Sequence, residues 1–188
     1  MAQQLHGKRV AALVTDGFEQ IELFEPRKAL EDAGAQVEVV ALKDGEVRGW
    51  NRTDWGEPVK VHRKVDGAQP DDYDALLLPG GVMNPDKLRM DGKAVEFVRH
   101  FARSGKPIAV ICHGPWTLVE AGVVRGVRMT SYPSLKTDLI NAGANWVDEE
   151  VVVDRGIVSS RKPDDLPAFN RNMLEEFAGG WHGQRGAS

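Results

Sequence analysis

Four short apolar runs punctuate the first two thirds of this 188-residue chain: Val10–Val14, Val37–Leu42, Tyr73–Leu78 and Ile108–Ile111. Each is followed at once by a turn rich in glycine or proline: Thr15-Asp16-Gly17, Lys43-Asp44-Gly45, Pro79-Gly80-Gly81 and Cys112-His113-Gly114-Pro115. Nearly unbroken apolar runs of this length suit strands buried on both faces of a parallel sheet. Helical stripes lie between and after them. Ile21, Leu23, Phe24, Ala29 and Leu30 lead to Gly34, Val95, Phe97, Val98 and Phe101 mark a helix over 92–103, and Pro115 to Gly122 opens on proline and closes on glycine. Further helices are expected over 135–142 and 165–178. Val127–Ser131 is a short strand, and Val151–Val153 with Ile157–Ser159 a hairpin around Asp154-Arg155-Gly156. The more polar stretch Glu46–Gly67, alternating at Val59, Val61 and Val65, reads as a loop and a β-hairpin. Strands alternating with helices give an α/β sandwich with a mainly parallel sheet.

Length and composition bound the remaining choices. A chain of 188 residues is one ordinary domain, expected over 1–178 with a flexible tail over 179–188, and it buries roughly 70% of its unfolded surface without disulfides or metal. One cysteine excludes an internal disulfide framework and fits a reducing compartment. Met1 to Lys8 is polar with no apolar signal core, and no run approaches the roughly 18 apolar residues of a membrane span. A soluble, cytoplasmic protein is expected. The net charge of −4 is dispersed, which gives no electrostatic footprint for nucleic acid or an anionic membrane. The five histidines are scattered without metal-ligand spacing, so neither a metal nor a cofactor is expected.

The strand over Ile108–Ile111 and the helix opened by Gly114-Pro115 place Cys112 and His113 on the turn between them. In open α/β sheets ligands and reactive groups collect at the carboxyl ends of strands. Backbone N–H groups at a helix start also favour a thiolate. A lone cysteine after an apolar strand can equally be an inert packed side chain; the adjoining His113 and the strand-to-helix setting favour chemistry. Three strand-end turns, Asp16–Glu19, Pro79–Gly81 and Cys112–Gly114, share one sheet edge. Gly80 and Gly81 form either a plain tight turn or a close backbone approach, in which the N–H groups of Gly81 and His113 make an oxyanion hole beside Cys112. Glu19, alone, reads as a solvated carboxylate favourable to a helix dipole.

With these residues in hand, the chain resembles the ThiJ/PfpI superfamily, most closely its PfpI intracellular peptidase branch, from about Lys8 to Phe177. The resemblance rests on Asp16-Gly17-Phe18-Glu19, Leu78-Pro79-Gly80-Gly81 and above all Ile111-Cys112-His113-Gly114-Pro115. Thr130-Ser131-Tyr132-Pro133, Ile140-Asn141-Ala142-Gly143, Val158-Ser159-Ser160-Arg161 and Asp165-Leu166-Pro167-Ala168-Phe169 add to it. It implies a flavodoxin-like three-layer sandwich with nucleophile Cys112 on a strained elbow, Glu19 as its partner carboxylate and His113 as neighbouring base. It also implies a homo-oligomer, at least a dimer, in which an acid from the neighbouring subunit completes a Cys-His-acid triad. Asp86 in Asn84-Pro85-Asp86 is the matching residue, one methylene shorter than the family's glutamate and in a loop lengthened at Val82-Met83. Gly80, Gly114 and Trp116 are expected to line the site, with Trp116 narrowing it.

Lowering a thiol from about 8.5 to about 5.5 takes roughly 4 kcal/mol. A helix terminus gives at most about 2 kcal/mol, and a protonated Glu19 donating to the sulfur supplies about 1.5–3 kcal/mol more. Three functions follow from the resemblance. The first is a cofactor-free stress-response enzyme acting on 2-oxoaldehydes or early glycation adducts. The second is a cysteine peptidase acting on peptides. The third is a non-catalytic redox sensor or holdase. Amidotransfer is discounted, because Ile111-Cys112-His113 and His182 do not supply its motifs.

Overall fold

A computed structural model describes residues 4–179. In chain order the elements are β1 (Arg9–Leu13), β2 (Phe18–Glu19), α1 (Gln20–Asp32), β3 (Gln36–Ala41), β4 (Glu46–Asn51), β5 (Asp54–Lys60) and β6 (Arg63–Lys64). Then come β7 (Ala75–Leu78), α2 (Met83–Leu88), α3 (Gly92–Ser104), β8 (Ile108–Ile111), α4 (Pro115–Ala121) and β9 (Arg128–Met129). The last are α5 (Lys136–Asn141), β10 (Asn145–Trp146), β11 (Val152–Asp154), β12 (Ile157–Ser160) and α6 (Leu166–Gly179). Residues 180–188, the greater part of the expected tail and His182 with it, lie outside the described residues.

The central sheet runs β11-β12-β8-β7-β1-β3-β6. Every pairing is parallel except the β11–β12 hairpin. Side chains alternate across it, so each apolar run feeds two cores. Ala11, Leu13, Leu76, Leu78, Ile108 and Val110 pack with Phe97 and Phe101 of α3 and Leu118 of α4. Val10, Ala12, Leu77, Ala109 and Ile111 pack with Leu23 and Leu30 of α1 and Phe169, Met173 and Phe177 of α6. Continuous apolar strands are what a sheet covered on both faces requires, and the three-layer sandwich expected from sequence is the fold found. Among the described residues no helix is long and apolar enough to cross a membrane.

The sheet order reverses at β1, which has β3 on one side and β7 on the other. Such a switch point leaves a crevice outside the carboxyl ends of the strands. The turns after β1, β7 and β8 open into it. Over them stands a small second sheet, β2-β4-β5, built on the expected hairpin. Several short elements were not legible, β2, β6, β10 and α2 among them: the segment read as a loop at Val82-Met83 runs straight into Met83–Leu88, which forms α2 with Val82 as its amino-terminal cap residue. Asn84-Pro85-Asp86 looks like a turn by composition, yet proline is tolerated in a first helical turn, where its missing N–H has no partner to lose.

Candidate active site

Cys112 has φ 64°, the left-handed region, with a non-glycine side chain. A conformation of this kind costs an L-residue about 1–2 kcal/mol. Backbone hydrogen bonds hold it on both sides: Cys112 N–H donates to the Ser160 carbonyl at 3.1 Å, and its carbonyl accepts from Tyr132 N–H at 2.9 Å. The elbow turns the sulfur toward a cleft of about 480 Å³, whose wall includes Glu19, Glu22, Arg52, Gly81, His113 and Tyr132. Cys112 is only 7% exposed.

The N–H groups of Gly81 and His113 lie close enough to the sulfur to favour its thiolate. Gly81 reaches it at φ 83°, and a methyl group there would stand 2.6 Å from the Gly17 carbonyl oxygen and 2.7 Å from Glu19 N. His113 Nδ1 lies 3.1 Å from Sγ, and Nε2 is 3.4 Å from Ser134 Oγ. The imidazole stacks on Tyr132, centroids 4.7 Å apart, and meets the edge of Trp116 at 5.2 Å. Burial lowers the pKa of His113, so the ring favours its neutral form.

The partner carboxylate is not the one expected. Glu22, buried in the first turn of α1, lies beside the elbow: a methyl group on Gly80 would touch both Glu22 Oε1 and Cys112 Cβ, and Oε1 accepts from Gly80 N–H at 2.9 Å. The other oxygen, Oε2, is buried without a hydrogen-bond partner, on the cleft that Glu22 shares with Cys112. Glu19 sits half-buried in the cleft wall, where its Oε1 accepts from Arg52 N–H at 3.2 Å instead. The physical reason is helical geometry. Glu19 precedes the helix in extended conformation, whereas Glu22 projects from the same face as Pro26 and Leu30, four and eight residues on, into the core. A carboxylate in register with that buried stripe was the signal available in sequence.

Burial pushes Glu22 up to about 8, with the nearby charge of Glu19 adding to it and the bonds from Gly80 and Cys112 opposing. Burial is also the largest influence on Cys112 and raises it, as does the charge of Glu22; the Gly81 and His113 N–H groups pull the other way. The two groups compete for one negative charge, so they titrate as a pair. With Glu22 protonated its repulsion vanishes and its O–H can donate to sulfur.

Three expected lining residues lie behind the wall rather than in it. Gly80 is wedged where a methyl would meet Glu22 Oε1 at 2.5 Å and Cys112 Cβ at 2.6 Å. Gly114 is packed where a methyl would meet the carbonyl oxygens of Ile111 and Leu78, both at 2.9 Å. Trp116 does not narrow the cleft: its Nε1 donates to Asp138 Oδ2 at 2.9 Å, which holds the indole against the back of His113. Asp86 is exposed on α2 and does not line the cleft of its own subunit. Among the described residues no three His, Cys, Asp or Glu side chains are arranged to hold a metal ion. Arg52, Trp50 and Ser134 escaped the sequence reading, and Tyr132 entered it only within Thr130-Ser131-Tyr132-Pro133 with no site role, since nothing local marks a residue brought to the cleft by a distant loop.

The profile of the DJ-1/PfpI family matches residues 8–176. The chain belongs to the DJ-1/PfpI family. A Bacillus subtilis (strain 168) relative provisionally named a cysteine protease, YraA, is 48% identical over 168 residues, 89% of this chain and 96% of that one. Protein/nucleic acid deglycase 2 of Escherichia coli (strain K12) is 45% identical over 170 residues, 89% of this chain and 96% of that one. Among solved structures, a two-domain protein of Anabaena variabilis with DJ-1/ThiJ/PfpI-like and ferritin-like domains superposes with TM-score 0.84 at 34% identity. The match covers 89% of this chain and 47% of that one, so this DJ-1/PfpI chain spans about half of the two-domain protein.

Proposed function

We propose that this DJ-1/PfpI protein is a cysteine-dependent enzyme acting on 2-oxoaldehydes or their early adducts with amines and thiols. The observation that carries the reading is the Cys112 sulfur on a strained elbow, in a cleft it shares with Gly81, His113 and the buried Glu22 carboxyl. The deglycase name of the Escherichia coli relative supports the same substrate class.

In this mechanism the sulfur adds to the aldehyde carbon, and the Gly81 and His113 N–H groups receive the new oxyanion. Glu22 gives its proton to that oxyanion and, now a carboxylate, removes the proton from the same carbon and returns it to the neighbouring carbonyl carbon through an enediol. The product is a thioester of the 2-hydroxy acid. Water then cleaves the carbon–sulfur bond, releasing lactate from methylglyoxal and restoring the thiol. On an amine adduct the same attack expels the free amine.

Peptide cleavage, the activity the YraA name suggests, needs an acid to orient His113. Within one subunit Nε2 faces the neutral Ser134 hydroxyl, so that reading depends on an acid, Asp86 by the family pattern, arriving from another copy. Incubation of the purified protein with methylglyoxal tests the first reading. D- or L-lactate should accumulate with the wild type and not with Cys112→Ala. Equal lactate from both would remove the sulfur from the reaction.

A further inference from the structure

Arg52 has no part in the chemistry above, yet the chain goes to some expense to put it where it is. It occupies the turn between β4 and β5 with φ 60°, and Thr53 N–H donates to the Asn51 carbonyl at 2.7 Å across it. A positive φ is uncommon for a residue that carries a side chain. Glycine or asparagine would adopt the left-handed region at lower cost. Two hydrogen bonds hold the conformation: Arg52 N–H to Glu19 Oε1 at 3.2 Å and Trp50 Nε1–H to the Arg52 carbonyl at 2.8 Å. Glu19, Trp50 and Arg52 all line the Cys112 cleft. The cleft wall thus fixes the backbone of Arg52 and leaves its side chain at the rim.

Among the described residues the Arg52 guanidinium has no carboxylate within ion-pair distance, unlike Arg9, Arg27, Arg63, Arg99, Arg128 and Arg161. It is the single arginine or lysine in the cleft wall, where Glu19 and Glu22 are the carboxylates. The strain, the two anchoring bonds and a guanidinium that acts on Glu19 only through space, without an ion pair, point to one ligand chemistry.

We propose that Arg52 forms an anion subsite at the mouth of the cleft and selects substrates carrying a carboxylate. For the reaction proposed above, on which this inference rests for its substrate, these are adducts of a 2-oxoaldehyde with an amino acid or another carboxylate-bearing amine or thiol. A planar guanidinium suits a carboxylate through two parallel N–H bonds. Neutral methylglyoxal makes no use of it.

The test has two arms. In the first, Cys112 is alkylated by iodoacetate and by iodoacetamide, near-isosteric reagents that differ in charge and both lose iodide to the sulfur. The ratio of the two rates is compared in wild type, Arg52→Asn and Arg52→Lys. Asparagine tolerates the positive φ, so the turn survives while the charge goes. The iodoacetate-to-iodoacetamide ratio should fall roughly two- to fivefold in Arg52→Asn, the scale of one partly exposed ionic contact. It should recover in part in Arg52→Lys, and the wild-type preference should shrink as salt is added. In the second arm, kcat/KM is compared for the methylglyoxal hemithioacetals of N-acetylcysteine and N-acetylcysteine amide. The acid-to-amide ratio should fall by a similar factor in Arg52→Asn.

Ratios that are the same in all three proteins overturn the subsite even if both adducts are turned over. An alkylation ratio that follows Arg52 while neither adduct is turned over keeps the subsite and rejects the proposed reaction.

Discussion

Glu22 and Cys112 meet across Gly80, the one residue thin enough to let a helix side chain reach the elbow. A methyl on Gly80 would fall within 2.6 Å of both partners. The pair is therefore assembled from three separate segments, and the carboxylate placed beside Cys112 lies three residues beyond the one a strand-end reading selects. Glu22→Gln should lower kcat/KM for methylglyoxal by roughly 10²–10⁴-fold, the range associated with loss of a positioned acid–base group. Glu19→Gln should cost less than about tenfold, since Glu19 bonds Arg52 and not the sulfur. Steady-state kinetics on the two variants decide the assignment, and the opposite order would return the role to Glu19.

The same burial makes stability depend on pH. Glu22 is raised from 4.5 to about 8. Between these values the folded chain keeps a proton that the unfolded chain has released. The free energy of unfolding therefore falls as pH rises through this window. The contribution is complete below about 4.5 and lost above about 8. At about 1.36 kcal/mol per pH unit it reaches on the order of 4–5 kcal/mol. Glu22→Gln has no proton to lose, so its stability should decline less. Urea denaturation of wild type and variant at pH 5 and pH 8 measures the difference, and parallel declines would contradict a buried acid at this position.

The fold was legible because its determinants are local. Each apolar run carries its own stop, and a run apolar on both faces already implies cover on both faces. Cys112, His113 and Gly81 were legible for a related reason, since each sits at the end of such a run. Glu22 was not, because its meaning depends on which face of α1 is buried. The stripe drawn through Ile21 and Phe24 rotates that face: Ile21 is 37% exposed, and Glu22, Leu23, Pro26 and Leu30 are buried. That Arg52 and Tyr132 belong to the cleft was hidden for a deeper reason. They come from the β4–β5 turn and the segment after β9, and only the folded chain brings them to Cys112.

The elbow supplies a prediction opposite in sign to the usual ranking of small residues. At most positions alanine is more stable than glycine by about 0.5–1 kcal/mol. Cys112 has φ 64°, so a methyl group there keeps the strain and glycine relieves it. Cys112→Gly should be more stable than Cys112→Ala by roughly 1 kcal/mol, with both lacking the sulfur. Thermal or chemical unfolding of the two variants measures it. Alanine as the more stable substitute would mean that the backbone relaxes once the sulfur is gone and that the elbow stores no strain.

Asn84 ties two of the three site turns together. It is fully buried on α2, its Oδ1 accepts from Thr15 N–H at 2.8 Å, and its Nδ2 donates to the carbonyls of Pro79 at 3.1 Å and Gly80 at 3.3 Å. The turn after β1 and the turn after β7 thus share one side chain. Asn84→Leu is close in volume but leaves a buried N–H and two carbonyls without this partner. At about 1–3 kcal/mol per stranded group, partly recovered by relaxation, a loss of roughly 2–4 kcal/mol is expected. Stability alone would not separate this role from ordinary packing. Gly80 also donates to Glu22, so a shift of its turn should disturb the Glu22–Cys112 pair. At a temperature where the variant remains folded, the pH dependence of Cys112 alkylation should therefore move relative to wild type. A destabilised variant with an unmoved pH profile would make Asn84 a packing residue, and the geometry of the pair would then rest on α1 and the elbow alone.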